Sequence, residues 1–96
     1  MTLPLTKVER HKVLCDSLNA LYAQKNHDYG DSFGKTWKEE GYAMARIRLS
    51  DKLNRFKSLS RQPEGQKVKD ESLRDTLLDL ANYALMTVLE MDGEQE

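Results

Sequence analysis

The chain has 96 residues, with 15 Lys and Arg against 16 Asp and Glu, 39% hydrophobic and 32% charged residues. That length bounds it to one domain near the small end of what folds unaided, and the composition is that of a globular chain. A net charge of −1 excludes a general nucleic-acid coat, which needs a basic excess, so no strong nucleic-acid binding is expected.

The N-terminus, MTLPLTKVERHK, lacks the long apolar region of a secretory signal. No run of about eighteen apolar residues exists, so no membrane span is expected. Thr6-Lys7-Val8-Glu9 is a capping box and predicts a helix starting near Lys7. Leu14, Leu18, Leu21 and Tyr22 give that helix an apolar stripe. The single Cys15 cannot form an intrachain disulfide, which fits a reducing cytoplasm. Its spacing with Leu14 and Leu18 assigns it to packing rather than to nucleophilic chemistry. His11 beside the same stripe reads as a packed histidine.

Helical periodicity fades at Asn26-His27-Asp28-Tyr29-Gly30. Residues 25–41 read as a loop with a short helix near Gly34–Glu40. A second long helix is predicted from Tyr42 to Ser60, with Leu49, Leu53 and Phe56 along one side. Residues 61–65, with Pro63 and Gly65 close together, form a turn. Asp70 is a candidate N-cap for a third helix ending near Asp92-Gly93. The domain therefore spans 1–92, and residues 93–96 fray. The pattern is all-α: a small bundle of three main helices plus a short one. The third helix is apolar nearly all round, which predicts completion by a homodimer or larger assembly.

Chemistry concentrates on two helix faces and one loop. Glu71, Asp75, Asp79 and Asn82 fall within about 80° of one face of the third helix. Leu73, Leu77, Leu80, Ala81, Ala84 and Val88 occupy the opposite face. Asp79 is the acid most enclosed by apolar neighbours, and a buried charge needs a cation, a metal or hydrogen-bond donors beside it. On the second helix Arg48, Asp51, Lys52 and Arg55 share an arc of about 100°. If these arcs face each other, two readings stand side by side. One is a structural salt-bridge network, with Asp51 and Arg55 also able to pair along their own helix. The other is a Mg²⁺–phosphate site, because carboxylate oxygens suit Mg²⁺ and Arg and Lys suit phosphate. Glu71 is the weakest metal candidate, since the first turn of a helix favours an acid through the dipole alone. In the loop, Tyr29, Phe33 and Trp37 recur every four residues between lysines and glycines. Aromatic faces stack on bases, although Phe33 and Trp37 read better as caps on the end of the core.

The blocks KNHDYGDSF (25–33), RIRLSDKLNRF (46–56) and VKDESLRDTLLDLANYAL (68–85) resemble the nucleotide modification associated domain, a small phage and prophage family long labelled a domain of unknown function. The resemblance runs from Lys25 to Val88. It implies the cytoplasm of a phage-infected or lysogenic bacterium and a link to nucleotide or DNA-base metabolism. More distantly, the layout is similar to the MazG-like all-α nucleoside triphosphate pyrophosphohydrolases, whose E-x-x-E and E-x-x-D tetrads bind Mg²⁺. The corresponding tetrads here are Asp51-Lys52-Leu53-Asn54 and Asp79-Leu80-Ala81-Asn82. Asn54 and Asn82 depart from that pattern by lacking a carboxylate.

These observations lead to a first expectation of a Mg²⁺-dependent hydrolase acting on a deoxynucleoside triphosphate. Asp51, Asp75 and Asp79, with Glu71, would hold the metal. Lys25, Arg48, Lys52 and Arg55 would hold phosphate, Asn82 would orient a ligand, and Tyr29 would stack on the base. The alternatives are a non-catalytic nucleotide-binding or accessory subunit of a base-modification system, and a structural helical dimer whose polar seam fixes register.

Overall fold

The computed structural model describes residues 3–63 and 67–93, with side chains of the last helix described from Glu71 onward. Among these residues there are four helices, α1 (Lys7–Tyr29), α2 (Ser32–Glu40), α3 (Tyr42–Ser60) and α4 (Lys67–Gly93), and no strand. The fold is all-α. No described helix is long and apolar enough to cross a membrane. The chain divides into two compact units, residues 1–31 and 32–96.

The first unit is built on α1. Its capping box forms as the sequence predicts. Glu9 N–H donates to Thr6 Oγ1 at 3.1 Å, and Thr6 N–H donates to Glu9 Oε1 at 2.9 Å. Lys12 and Asp16 pair at 3.0 Å one turn apart on an exposed surface, a contact that adds only about 0.2–0.5 kcal/mol. No α1 residue is buried. Leu18, Leu21 and Tyr22 are half-buried, whereas Leu14 is exposed. Cys15 and His11 are exposed too, and lie side by side with Sγ 3.7 Å from Nδ1. Their assignment to packing is therefore corrected for this unit: its stripe starts one turn later than they stand. The helix also runs through residues 25–29, where the sequence predicts a loop. Asn26 Nδ2 donates to Tyr22 Oη at 3.2 Å within the last turns. Loss of apolar period is not loss of helix. The breaker is Gly30, at φ +69°.

The second unit packs α2, α3 and α4 together, with its most extensive contact between α3 and α4. Its core is Phe33 and Trp37 from α2 and Met44 and Ala45 from α3, with Tyr83, Met86 and Met91 of α4 packed against them. Phe33 and Trp37 are four apart and so share one face of α2. They pack as the sequence indicates, but as members of the core rather than as caps on its end. Trp37 meets Tyr42 edge-on with ring centroids 4.9 Å apart, and Phe33 stacks on Tyr83 at 6.0 Å. Gly41 turns the chain from α2 into α3 at φ +61° and ψ −141°, and its N–H donates to Trp37 O at 2.7 Å. That backbone region belongs to glycine.

α3 spans Tyr42–Ser60 as predicted. α4 begins earlier than predicted, at Lys67. Asp70 therefore lies inside the helix rather than capping it, because nothing between Lys67 and Asp70 breaks a helix once Pro63 and Gly65 are passed. Gly93 still belongs to α4. Glu64 and Gly65 of the predicted turn, and residues 94–96 of the predicted tail, lie outside the described residues.

The orientation of α4 follows from who is buried. Thr76 is 2% exposed, and Asp79, Tyr83 and Met86 are half-buried beside it. Leu77, Leu85, Val88 and Leu89 are exposed. The side of α4 that carries Asp79 turns inward, and much of its apolar side turns out.

Candidate functional site at the α3–α4 seam

Two rungs define the seam. Lys52 Nζ on α3 meets Asp79 Oδ2 on α4 at 3.1 Å. One turn earlier on α3 and one turn later on α4, Arg48 and Tyr83 line the same cleft. Stepping back along one helix while stepping forward along the other makes the pair antiparallel. It also places the cations of α3 at one-turn intervals along the seam.

The cleft at the upper rung holds about 230 Å³ and is lined by Ser32, Phe33, Thr36, Met44, Arg48 and Tyr83. Phe33, Met44 and Tyr83 contribute apolar and ring surface to its lining. Ser32, Thr36 and Arg48 bring two hydroxyls and a guanidinium to the wall. Thr36 Oγ1 donates to Ser32 O at 2.9 Å, so its proton is committed while its oxygen still accepts. Arg48 is exposed and in no ion pair among the described residues. A guanidinium of that kind, next to hydroxyls, is suited to phosphate oxygens. Arg48 also borders a second cleft with Glu40, Ala43, Met44 and Ile47.

At the lower rung, Lys52 and Asp79 retain 27% and 28% of their side-chain exposure. The pair is half-desolvated, and each charge answers the other. Asp79 is indeed the enclosed acid of its row, and its described partner is a cation. Asp75 and Glu71 are exposed. Glu71 sits in the second turn of α4, not the first, because the helix begins at Lys67. Asp51 is exposed on a shallow groove with Ala43, Arg46, Ile47 and Ser50. It makes no ion pair with Arg55, which is exposed as well. Asn82 is half-buried on α4. Lys25 and Tyr29 stand exposed on α1 in the first unit.

The donor set bears on Mg²⁺ directly. Among the described residues no three His, Cys, Asp or Glu side chains gather as an ion site would require. Asp79 is engaged by Lys52, and Asp51 and Asp75 do not join it. By themselves these carboxylates do not fit a metal centre.

The seam thus joins Arg48, Lys52 and Asp79 from the sequence-derived set. Ser32, Thr36 and Tyr83 were not in that set. Tyr83 carried a readable signal, since it lies four residues after Asp79 and so on the same face of α4. Ser32 and Thr36 carried none, because they reach the seam only through the packing of α2.

Against known proteins, the model of the family described as nucleotide modification associated domain 1 matches residues 25–91. No curated protein and no solved structure matches the chain.

Proposed function

We propose, from the premise that the chain belongs to the nucleotide modification associated domain 1 family, that it is a nucleotide-binding protein that grips phosphate along the α3 side of the seam. The observation that carries this reading is the pairing of two cations one turn apart, Arg48 beside a hydroxyl-lined cleft and Lys52 beside Asp79. Arg48 offers a planar fork to phosphate oxygens, and Lys52 offers a point charge one turn away. The separation along the axis, about 6 Å, suits neighbouring phosphates of one nucleotide. Tyr83 and Phe33 present ring surface to the sugar or base side of the ligand. Such a protein serves a nucleotide- or base-modification system as a binding or accessory component.

The hydrolytic reading of the same face asks more of the chain. Asp51, Asp75 and Asp79 need additional oxygen donors to hold Mg²⁺. A bound triphosphate supplies them, since Mg²⁺ is commonly held by one or two carboxylates plus substrate phosphates.

Calorimetric titration with a deoxynucleoside and its mono- and triphosphate, with and without Mg²⁺, tests the proposal. Lys52→Ala and Arg48→Ala should each weaken triphosphate binding about tenfold, the worth of one charge-assisted contact, and leave nucleoside binding nearly unchanged. Equal losses for both ligands, or no binding of any nucleotide by the native chain, would rule out a phosphate grip on α3. Pyrophosphate release that requires Mg²⁺ would add the hydrolytic reading to the binding one.

A further inference from the structure

On the side of α4 turned away from α3, apolar residues form a stripe with a charge at each end. Leu77, Ala81, Ala84, Leu85 and Val88 fall within about 100° of one face, and Arg74 and Asp92 lie on that same face. Leu77, Leu85, Val88 and Leu89 are 44%, 54%, 51% and 55% exposed. Arg74 and Asp92 are exposed and in no ion pair among the described residues. Isolated surface leucines need no explanation, but three large apolar side chains in one helical stripe, with Leu89 at its edge, do.

The stripe is its own complement. Let a second α4 run antiparallel across it, about a two-fold axis at the level of residues 82 and 83. Leu77 then stands opposite Val88 of the second copy, and Ala81 opposite Ala84. The two alanines at the centre let the helix axes approach, and the larger side chains close the interface above and below. One turn outside Leu77, Arg74 comes within one residue, about 1.5 Å along the axis, of the level of Asp92 of the second copy, a gap its long side chain spans, and the symmetry repeats that match at the other end. A parallel arrangement would set Arg74 against Arg74 and Asp92 against Asp92. Charge complementarity thus selects both the occupant and its direction.

We propose that this face of α4 is the two-fold interface of a homodimer, with the α4 helices antiparallel and Arg74 paired to Asp92 across each end. An isologous contact of this kind makes every substitution count twice.

The experiment is sedimentation equilibrium of the full chain at micromolar concentration, with helical content of each variant checked by circular dichroism. The native chain should be a dimer. Arg74→Asp and Asp92→Arg should each raise the dimer dissociation constant about tenfold, because two attractive end contacts become repulsive. The double variant Arg74→Asp/Asp92→Arg should return to within about threefold of the native value, because the opposite charges face each other again. Ala84→Glu should give a folded monomer. A monomeric native chain, its stripe covered by another segment of the same chain, overturns the proposal. So does a dimer that the charge reversals leave untouched or that the double variant fails to restore.

Discussion

Asp79→Asn is the substitution that bears hardest on the seam, because it removes a charge while keeping the side chain's shape. Lys52 Nζ lies 3.1 Å from Asp79 Oδ2. At that separation the gross Coulomb attraction is about 5 kcal/mol for an effective dielectric near 20. Both side chains keep roughly a quarter of their exposure, so water still screens the pair, and the lysine gives up rotamer freedom to hold its place. Exposed pairs are worth up to about 1 kcal/mol, and removing one member of a fully buried pair costs about 3–5 kcal/mol. The seam lies between these limits, and the expected loss is about 1–2 kcal/mol. In a domain of this length that lowers Tm by roughly 4–15 °C. The same substitution releases the Lys52 ammonium from its carboxylate. Without Mg²⁺, triphosphate affinity should therefore rise about fivefold to thirtyfold, in step with the interaction given up. Thermal unfolding followed by circular dichroism and calorimetric titration measure the two effects on one preparation. An unchanged Tm would show that the ion pair adds nothing to the fold. A loss of triphosphate binding in the absence of Mg²⁺ would refute the idea that Asp79 and phosphate compete for Lys52.

Three further outcomes follow from the packing and the cap. Trp37 is 3% exposed and central to the core, so Trp37→Ala should cost about 3–5 kcal/mol in chemical denaturation, and a loss under 1 kcal/mol would remove it from the core. Thr76 is 2% exposed and its Oγ1 donates to Ser72 O at 2.7 Å. The carbonyl it meets already belongs to the helix ladder, so Thr76→Val, which keeps the shape, should change stability by less than about 0.5 kcal/mol by the same measurement. Glu9 is held below its ordinary carboxylate value of 4.5 by the Thr6 backbone N–H and then by the Thr6 hydroxyl. A depressed folded value means that the cap is fully present above the ordinary value and is lost as pH falls through the folded one. Amide-exchange protection of Thr6, whose N–H donates to Glu9 Oε1, should therefore hold at neutral pH and disappear in acid below that value, while Thr6→Ala weakens the helix start by about 1 kcal/mol at neutral pH.

Local signals carried most of the fold. Thr6 and Glu9 announced the start of α1, and Tyr42 to Ser60 was readable end to end from its periodicity. Over residues 25–29, which the sequence assigns to a loop, the apolar pattern runs out before any helix breaker arrives. Asp70 looked like a cap because its residue type favours that position, yet a type preference cannot show which of several start points the chain uses. The seam was half legible. Two arcs of opposite charge on α3 and α4 could be drawn from residue numbers alone, and Lys52 and Asp79 do meet. Which acid meets which cation depends on how far one helix slides along the other. That shift depends on how Tyr83, Met86 and Met91 of α4 pack on the core from α2 and α3, which the charged residues do not reveal. The same dependence hid Ser32 and Thr36. The outward turn of Leu77, Leu85 and Val88 was illegible for a related reason. A helix apolar on most sides offers several faces to a neighbour, and Thr76 with Tyr83 took the inner place.

Gly41 carries one more implication. Beyond its two chain neighbours, no heavy atom lies within 4 Å of where a Cβ would stand there, so an alanine at this corner would meet open space. Its penalty would be torsional alone, arising from φ +61° in a region that side chains with a Cβ avoid. Trimming a neighbouring residue to make room would therefore not suppress the defect, because room was never lacking. In a screen for revertants, recovery should come from restoring the glycine or from adding a residue to the corner. Substitutions in the surrounding core should not appear.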